Sequence, residues 1–427
     1  MEGLFKNTLN DVENEGFVHR NKIGETSFSR NRKLTFKDLI FSMIGFTRPS
    51  VQTELDRFYK ALSSSRSFES ISKSAFTQSR KKLKPEAFKE LNTSQLNYFA
   101  ENAPFQKRWK GKRIIAIDGA LLNLPHAEDI EDSFGSVTNQ HDKIVSARAS
   151  FAYDVGNELV IDAEIAPRRS CEKDLAIRHL SSLNPQTDIL VFDRGYPCQW
   201  LMGRLSQLGF GYCFRLSSAW KKAHHAVKEQ KDVDWTLERD PSREWGKLKK
   251  FDLPRTLGGL RLLSFTLANE EQEVLLTNLS DRDSFSYEEM KALYKLRWGV
   301  EESFKSFKKT LHIEHFSGRS AVAVRQDFHA RVFMLNMASM VRTQGTDPEN
   351  SNNQVTKYHH KTNKTQTLAK IKDFLVDLFY KKTIRPIIKQ LLKILRKRKD
   401  IIRPNRSFER PKVGSRRRHK ITNSKGI

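Results

Sequence analysis

The chain has 427 residues and carries 76 Lys and Arg against 50 Asp and Glu, a formal net charge of +26. This length allows two or three domains. Such a positive field attracts polyanions, nucleic acid first and anionic membrane second. A membrane role finds no support, because no apolar run reaches the roughly 18 residues that span a bilayer.

The cysteines indicate the compartment. The chain has three of them, Cys171, Cys198 and Cys213, and none forms a CxxC pair. An odd number without paired spacing fits a reducing cytoplasm better than export, and it argues against zinc. The acidic N-terminus also lacks the charged-then-apolar pattern of a signal peptide. A cytoplasmic protein is therefore expected.

The N-terminal third is predicted to be helical. Residues 1–33 are polar and are expected to be loosely ordered, whereas residues 34–99 show helical periodicity. The segment ISKSAFTQSRKKL has a basic polar face that includes Lys73 and Arg80. This face suits the reading helix of a helix-turn-helix lying against DNA. The alternative is an ordinary amphipathic helix with solvated lysines.

From Lys112 the pattern changes to apolar strands alternating with helices, which predicts an α/β class with a mixed central sheet. Residues 381–427 contain 18 Lys or Arg against two acids, so this end is a candidate electrostatic clamp on DNA or a solvated terminus. The predicted divisions are a helical DNA-binding domain over 1–107, a first core part over 108–215, a β-rich insertion over 216–272, a second core part over 273–345, and a helical region with a basic tail over 346–427.

Two aspartates follow apolar strands. Asp118 ends RIIAID and Asp193 ends DILVFD, and each is followed by glycine within two residues. The carboxyl ends of strands in α/β sheets are where ligands and catalytic groups collect. The alternative for either residue is an ordinary turn or helix N-cap aspartate.

A third acid lies on a basic helical stripe. In YKLRWGVEESFKSFK, helical spacing places five residues on one face: Tyr294, Arg297, Glu301, Lys305 and Lys308. By itself this stripe is also typical of a solvated helix with i,i+4 ion pairs. Together with the two aspartates it predicts a three-carboxylate site.

Three carboxylates with few His or Cys partners predict Mg²⁺ or Mn²⁺, because these hard ions prefer oxygen ligands. For a basic protein the expected substrate is a phosphodiester. Two metals can activate a water or a 3′-hydroxyl and stabilise the leaving oxygen. On this hypothesis Arg297 and Lys308 hold the phosphates beside a Glu301 that binds metal.

The spacing Tyr294–x2–Arg297–x3–Glu301–x6–Lys308, downstream of DG at Asp118 and DRGY at Asp193, resembles the signature of DDE transposases of bacterial insertion sequences, the IS-four family. The resemblance implies an RNase H-like core interrupted by a β-rich insertion. It also implies two divalent metals bound by Asp118, Asp193 and Glu301.

By the same resemblance, Tyr294, Arg297 and Lys308 contact DNA near the cut end, and Arg194 lies near phosphate. Lys305, on the same helical stripe, is a further candidate for DNA binding. The first motif departs from the family, because Ala120 stands where Ser or Thr often follows DG. Some relatives hold a flipped base with an aromatic side chain of the insertion, for which the candidates are Trp220, Trp235 and Trp245.

The implied function is a cut-and-paste transposase that binds terminal inverted repeats, cleaves double-stranded DNA and joins the 3′ ends to target DNA. It would act as a homodimer in a bacterial cytoplasm, associated with the nucleoid. The alternatives are a transposase-derived metal nuclease that cuts without joining, and a DNA-binding protein with a decayed core. The presence of all three acids counts against decay.

Overall fold

The computed structural model describes residues 1–30, 32–46, 50–63, 69–103, 106–138, 140, 142–238, 241–266, 271–297, 313–345 and 359–402. The chain divides into two compact units, one formed by residues 1–103 and 306–427 and the other by residues 104–305. Residues 216–272, the predicted insertion, lie in the second unit, and the apolar helix after residue 320 lies in the first unit with the N-terminal helices.

The described residues form helices in the first unit and both helices and strands in the second. In chain order, the helices are α1 (Glu2–Glu13), α2 (Glu15–Asn21), α3 (Phe36–Gly45), α4 (Val51–Leu62), α5 (Lys73–Arg80), α6 (Glu86–Asn102), α7 (Glu128–Phe134), α8 (Glu172–His179), α9 (Gln199–Gln207), α10 (Lys221–Ala226), α11 (Pro241–Lys250), α12 (Tyr287–Leu296), α13 (Ala321–Gly345), α14 (Lys364–Asp373), α15 (Leu375–Tyr380) and α16 (Arg385–Arg396). The strands are β1 (Arg113–Asn123), β2 (Ser136–Thr138), β3 (Lys143–Asp154), β4 (Leu159–Pro167), β5 (Asp188–Phe192), β6 (Gly211–Arg215), β7 (Asp232–Glu238), β8 (Thr256–Thr266) and β9 (Gln272–Thr277), and a short pair in the first unit, β10 (His359–Thr362) and β11 (Lys399–Ile402).

The second unit is built on one mixed sheet. Its strand order is β2-β3-β1-β5-β6-β9-β8-β7, and β4 also pairs with β3. Strands β1, β5 and β6 run parallel, while β3 and β4 on one side and β9, β8 and β7 on the other pair antiparallel. The predicted mixed α/β core is therefore confirmed.

The parallel centre of the sheet is buried. All five residues of β5 are covered, as expected for a strand packed on both faces. Phe192 stacks on Phe214 of the neighbouring β6, with ring centroids 4.5 Å apart. Tyr196 and Trp200, which follow β5, belong to the same buried cluster. This packing fixes the carboxyl end of β5.

The segment predicted as a β-rich insertion extends the same sheet. Strands β7 and β8 form an antiparallel pair, and β8 pairs with β9. Helices α10 and α11 also lie within residues 216–272, so the segment mixes helix and strand. Buried Arg261 binds Asp232 across the β7–β8 pair, with Nε 2.8 Å from Oδ1.

The first unit is mainly helical, and it corrects one prediction. The expectation of a loosely ordered stretch over residues 1–33 is wrong, because α1 and α2 lie there with Leu4, Phe5 and Phe17 buried. These apolar side chains lie on one face of each helix, and that face is buried by packing against neighbouring helices. Helix α1 packs on α6, which also packs on α13. None of the described helices is long and apolar enough to cross a membrane.

Candidate active site

The first two predicted acids lie beside each other on adjacent strands. Asp193 directly follows the end of β5, as predicted, whereas the prediction that Asp118 ends its strand is wrong, because β1 continues to Asn123 in antiparallel pairing with β3. In the parallel β1–β5 pair, Ile117 is opposite Phe192. Asp118 and Asp193 come next in each strand's direction. Because the parallel pairing of β1 and β5 runs up to these positions, its register brings both carboxylates to one place at the end of β5. Asp118 is half-buried, and its Oδ1 accepts the Gly119 N–H at 2.8 Å.

A helix from later in the chain brings an arginine to these acids. Helix α12 begins with a capping box between Ser286 and Glu289 and ends immediately before Arg297. Nη2 of Arg297 lies 4.0 Å from Oδ1 of Asp193, and the guanidinium lies 5.6 Å from the centre of the Tyr294 ring. Arg297 is only 3% exposed. A cation is thus held within reach of both acids.

Tyr294 anchors this helix to the end of β5. Its buried hydroxyl donates a long hydrogen bond of 3.5 Å to the carbonyl oxygen of Phe192. Burial raises the pKa of the Tyr294 phenol, so the group stays a protonated donor. The side chain is 2% exposed, and in this structure it positions the helix. The DNA contact expected of Tyr294 stays a prediction.

The two acids repel each other. The pKa of Asp118 is raised to about 6, mainly by burial; the charges of Asp193 and Glu172 also raise it, whereas the Gly119 N–H and Arg297 lower it. A nearby cation stabilises the ionised form of a carboxyl group whose pKa is raised in this way. The site therefore has the donor chemistry and the unsatisfied negative charge that suit a hard divalent cation.

Sequence reasoning missed a further acid beside this pair. Glu172 begins α8, and its carboxylate is ion-paired with Arg148 of β3. A Cβ placed on Gly119 would lie 3.3 Å from Oε1 of Glu172 and 3.3 Å from the Ala149 carbonyl oxygen. Glycine after Asp118 thus permits the close approach. In the sequence, the Asp118–Gly119 pair could have indicated a close contact at this glycine. It could not indicate that Glu172 makes the contact, because Glu172 is distant in sequence.

Comparison with known proteins identifies the chain. The family profile described as "Transposase DDE domain" matches residues 109–337, more than half of the chain. The chain is also 22% identical over 309 residues to "Transposase InsG for insertion sequence element IS4" of Escherichia coli (strain K12). The chain belongs to the DDE transposases of the IS4 family. The match covers 68% of this chain and 65% of the relative's length, so it spans less than two thirds of that transposase.

Two solved transposase structures are distantly similar to this DDE transposase. The first is a cryo-EM structure of a piggyBac transposase synaptic complex with hairpin DNA, with 10% identity, a TM-score of 0.43, and 91% of this chain and 84% of that chain covered. The second is a crystal structure of a pre-cleavage Mos1 transpososome, with 13% identity, a TM-score of 0.19, and coverages of 61% and 88%.

The other predicted site residues of this DDE transposase fall into three groups. Arg194 and Lys73 are exposed. Glu301, Lys305 and Lys308 lie outside the described residues. Arg80 forms the third group, because it is buried.

The DNA-contact prediction for Arg80 is corrected. Its guanidinium is 3% exposed and lies 2.8 Å from Oδ1 of Asp327. It also donates to Gln326 at 2.9 Å and to Ser317 at 2.7 Å. A buried charge needs this kind of pairing, and the pairing leaves the guanidinium no free side for a phosphate. Arg80 fastens α5 to α13 within the helical unit.

The three tryptophans named as base-holding candidates differ in exposure. Trp220 and Trp235 pack against the core of the second unit. Trp245 on α11 is 53% exposed. The first two therefore behave as ordinary packing residues, and Trp245 is the one whose ring faces solvent.

The structure describes two of the three metal ligands predicted for this transposase. Within the ranges the structure describes, no three His, Cys, Asp or Glu side chains approach closely enough to hold a metal ion. Asp118 and Asp193 supply two carboxylates, and the third predicted ligand, Glu301, is outside those ranges. Carboxylate oxygens fit Mg²⁺ or Mn²⁺ better than softer metals.

Proposed function

We propose that this DDE transposase binds the terminal inverted repeats of its element, cleaves the DNA and transfers the 3′ ends to target DNA by cut-and-paste transposition. The observation that carries the proposal is the parallel β1–β5 register, which places Asp118 of β1 beside Asp193 at the end of β5, with Arg297 4.0 Å from Asp193. An acid pair with a buried cation is poorly explained as structure, because burial, and to a smaller extent the neighbouring acids, raise the pKa of Asp118 to about 6.

The sheet order supports an RNase H-like core. An antiparallel group, β4-β3-β1, continues into a parallel group, β1-β5-β6. Strands β7 and β8 with helices α10 and α11 then intervene before β9 returns to pair with β6. This fits a core interrupted by an insertion between the second aspartate and the predicted glutamate.

Asp118, Asp193 and Glu301 would together hold two Mg²⁺ or Mn²⁺ ions. When bound, these ions activate the attacking water or 3′-hydroxyl and stabilise the leaving oxygen. Tyr294 fixes α12 against β5, so that Arg297 stays beside the acids. Because Arg297 lies 4.0 Å from Asp193, a phosphate bound at the acids would be within its reach.

The remaining DNA contacts are assigned by exposure and charge. Arg194 directly follows Asp193 and is exposed, which suits a contact to a phosphate flanking the cut. Lys305 and Lys308 are proposed for the same strand. Lys73 on α5 is proposed for the terminal repeat. Two copies of the chain would act together, because transposition joins two element ends, and they would do so at the bacterial nucleoid.

The test uses the purified chain, labelled DNA carrying the terminal repeat of its own element, and Mg²⁺ or Mn²⁺. Asp118→Asn, Asp193→Asn and Glu301→Gln are compared with Asp174→Asn. This control makes the same chemical change on the first turn of α8, where Asp174 pairs with Lys247 on the surface. Metal-dependent 3′ nicking and joining should be lost in the three site variants and retained in the control.

The outcomes separate the candidate functions. Nicking without joining in the wild type would favour a metal nuclease derived from a transposase. Specific binding with no cleavage in either metal would favour a DNA-binding protein with a silent core. Cleavage that survives Asp118→Asn or Asp193→Asn would contradict the assignment of these acids.

A further inference from the structure

The helical unit contains a basic cavity that the proposed active site does not use. Its volume is about 570 Å³, and it lies between the loop after α2 and the end of α5. Three cations line it, Arg30, Arg32 and Lys82, and hydroxyl groups come from residues including Ser29 and Ser79. None of the described residues lining it is acidic. Its lining is therefore complementary to an anion.

The charges of these cations are not neutralised within the described part of the chain. Neighbouring Lys33 is ion-paired with Glu69. Arg30, Arg32 and Lys82 have no described carboxylate within 4.0 Å of their side-chain nitrogens. Three like charges around one cavity repel each other, and that cost is offset when an anion binds. The cavity is therefore suited to an anionic partner.

The cavity is preformed by local structure. The Ile23 N–H donates to the Lys82 carbonyl oxygen at 2.7 Å, and the Lys84 N–H donates to the Asn21 carbonyl oxygen at 2.8 Å. These bonds tie the loop to the segment after α5. Phe28 has a φ of 61° and packs its ring edge-on against Phe36 at 5.2 Å. A fixed wall lowers the entropy lost on binding.

The neighbouring surface indicates what kind of anion binds. Ser79 and Lys82 lie at the end of α5, whose Lys73, Ser74 and Gln78 are exposed and polar. A small anion would use the cavity alone, whereas a polyanion would use the cavity and this face together. Guanidinium, ammonium and hydroxyl donors are the groups that contact DNA phosphates.

We propose that this cavity holds a phosphate of the duplex DNA backbone and that the exposed face of α5 lies along the same duplex. This inference rests on the proposed function, because it assumes that the chain binds DNA. It assigns Arg30, Arg32 and Lys82 as backbone contacts that fix the register of α5. Phosphate contacts position a protein on DNA without reading its sequence.

The experiment measures binding of a short fluorescein-labelled duplex of unrelated sequence by anisotropy, without divalent metal, over a NaCl series. The Arg30→Ala/Arg32→Ala/Lys82→Ala variant is compared with the wild type. The matched control is Lys60→Ala/Lys382→Ala/Lys389→Ala, which removes the same charge from exposed positions of the same unit that do not line the cavity. Thermal melts check that both variants are folded.

The cavity variant should lower the slope of log affinity against log salt by about 2 to 3, since each phosphate contact contributes about 0.9. At about 0.1 M salt the affinity should fall at least tenfold, and the control should change much less. Arg30→Lys/Arg32→Lys should keep most of the slope because it keeps the charge. Equal slopes for the cavity variant and the control would overturn the proposal.

A competition with inorganic phosphate at constant ionic strength separates a backbone phosphate from a free one. Phosphate should weaken duplex binding by the wild type and leave binding by the cavity variant unchanged. If phosphate binds without affecting the duplex, the cavity is a small-anion site and the proposal fails.

The two proposals fail separately. Nicking and joining with an unchanged salt slope would remove the cavity from the DNA surface and leave the transposase function intact. If the cavity variant lowers the salt slope but the wild type never cleaves DNA, the cavity proposal stands and the transposase function fails.

Discussion

Nη2 of Arg297 lies 4.0 Å from Oδ1 of Asp193, so a buried guanidinium faces the carboxylate at the end of β5. Its charge also lowers the pKa of Asp118 on the adjacent strand. The positive charge of Arg297 therefore partly offsets the repulsion between the two carboxylates when no metal ion is bound. It also competes with a divalent cation for the same carboxylates, which leads to a test.

Arg297→Gln should bind Mn²⁺ more tightly than the wild type, by about threefold or more, because a positive charge beside the acids is lost. Cleavage and joining should nevertheless fall. Mn²⁺ binding can be followed by electron paramagnetic resonance, with Arg297→Lys as the charge-conserving control. Weaker Mn²⁺ binding by the Gln variant would show that Arg297 supports the ligands instead of opposing the cation.

Asp118 should make the metal-free protein less stable as pH rises. Its pKa rises from an ordinary value of 3.8 to about 6 in the folded chain, mainly through burial. Between these values the folded chain binds more protons, so the free energy of unfolding falls as pH increases from about 4 to about 6 and stays lower above.

Asp118→Asn should remove this pH-dependent fall in the free energy of unfolding, because asparagine does not ionise. In EDTA at pH 7.5 the variant should exceed the wild type in free energy of unfolding by about 1–3 kcal/mol, since one pKa unit corresponds to about 1.4 kcal/mol. The difference should vanish below about pH 4. Urea denaturation across this pH range measures it, with surface Asp174→Asn as the control. A variant less stable than the wild type at pH 7.5 would contradict the raised pKa.

Arg80 and Lys73 on the same helix should separate stability from DNA binding. Arg80→Met leaves Asp327 as an unpaired buried charge and should cost about 3–5 kcal/mol of unfolding free energy. Exposed Lys73→Ala should change stability by under about 0.5 kcal/mol and lower duplex affinity. Denaturation and anisotropy on both variants measure these effects. A stable Arg80→Met protein with weakened DNA binding would restore the surface role that the sequence predicts for Arg80.

Tyr294 should act through packing and not through its hydroxyl. Tyr294→Phe removes one long hydrogen bond to Phe192 and should cost under about 1 kcal/mol, with joining retained. Tyr294→Ala opens a cavity at the end of β5 and should cost about 3–5 kcal/mol. Denaturation and end-binding assays on both variants measure these effects. If the Phe variant folds normally but loses end binding, the hydroxyl contacts DNA after a rearrangement.

The three thiols should differ in reactivity. Cys171 is exposed, whereas Cys198 and Cys213 are buried. Burial raises the pKa of Cys198 to about 12 and also raises that of Cys213. Because the thiolate is the reactive form, iodoacetamide should label Cys171 alone in the native protein and all three in urea. Mass spectrometry reads the sites, and native labelling of Cys213 would contradict the buried β6.

Local pattern was enough to find the two aspartates. An acid after an apolar run, followed by glycine, is a local pattern, so Asp118 and Asp193 could be named without knowing the sheet order. The pattern marked a strand end correctly for Asp193 but not for Asp118, because β1 continues to Asn123. The last turn of helix α12 was predicted in the same way, because helical period is a property of neighbouring residues. Net charge indicated a polyanionic partner for the same reason, as it sums over the chain.

Only the tertiary structure decided what lies across from these residues. Strand β5 is adjacent to β1 although β2, β3 and β4 come between them in the chain. Arg80 is buried because its partner Asp327, 247 residues away, meets it across packed helices. Glu172 reaches Gly119, and α1 becomes an ordered helix, through contacts that are also distant in sequence. Long-range pairing depends on which faces of the folded chain bury each other, and periodicity within one segment does not determine that choice.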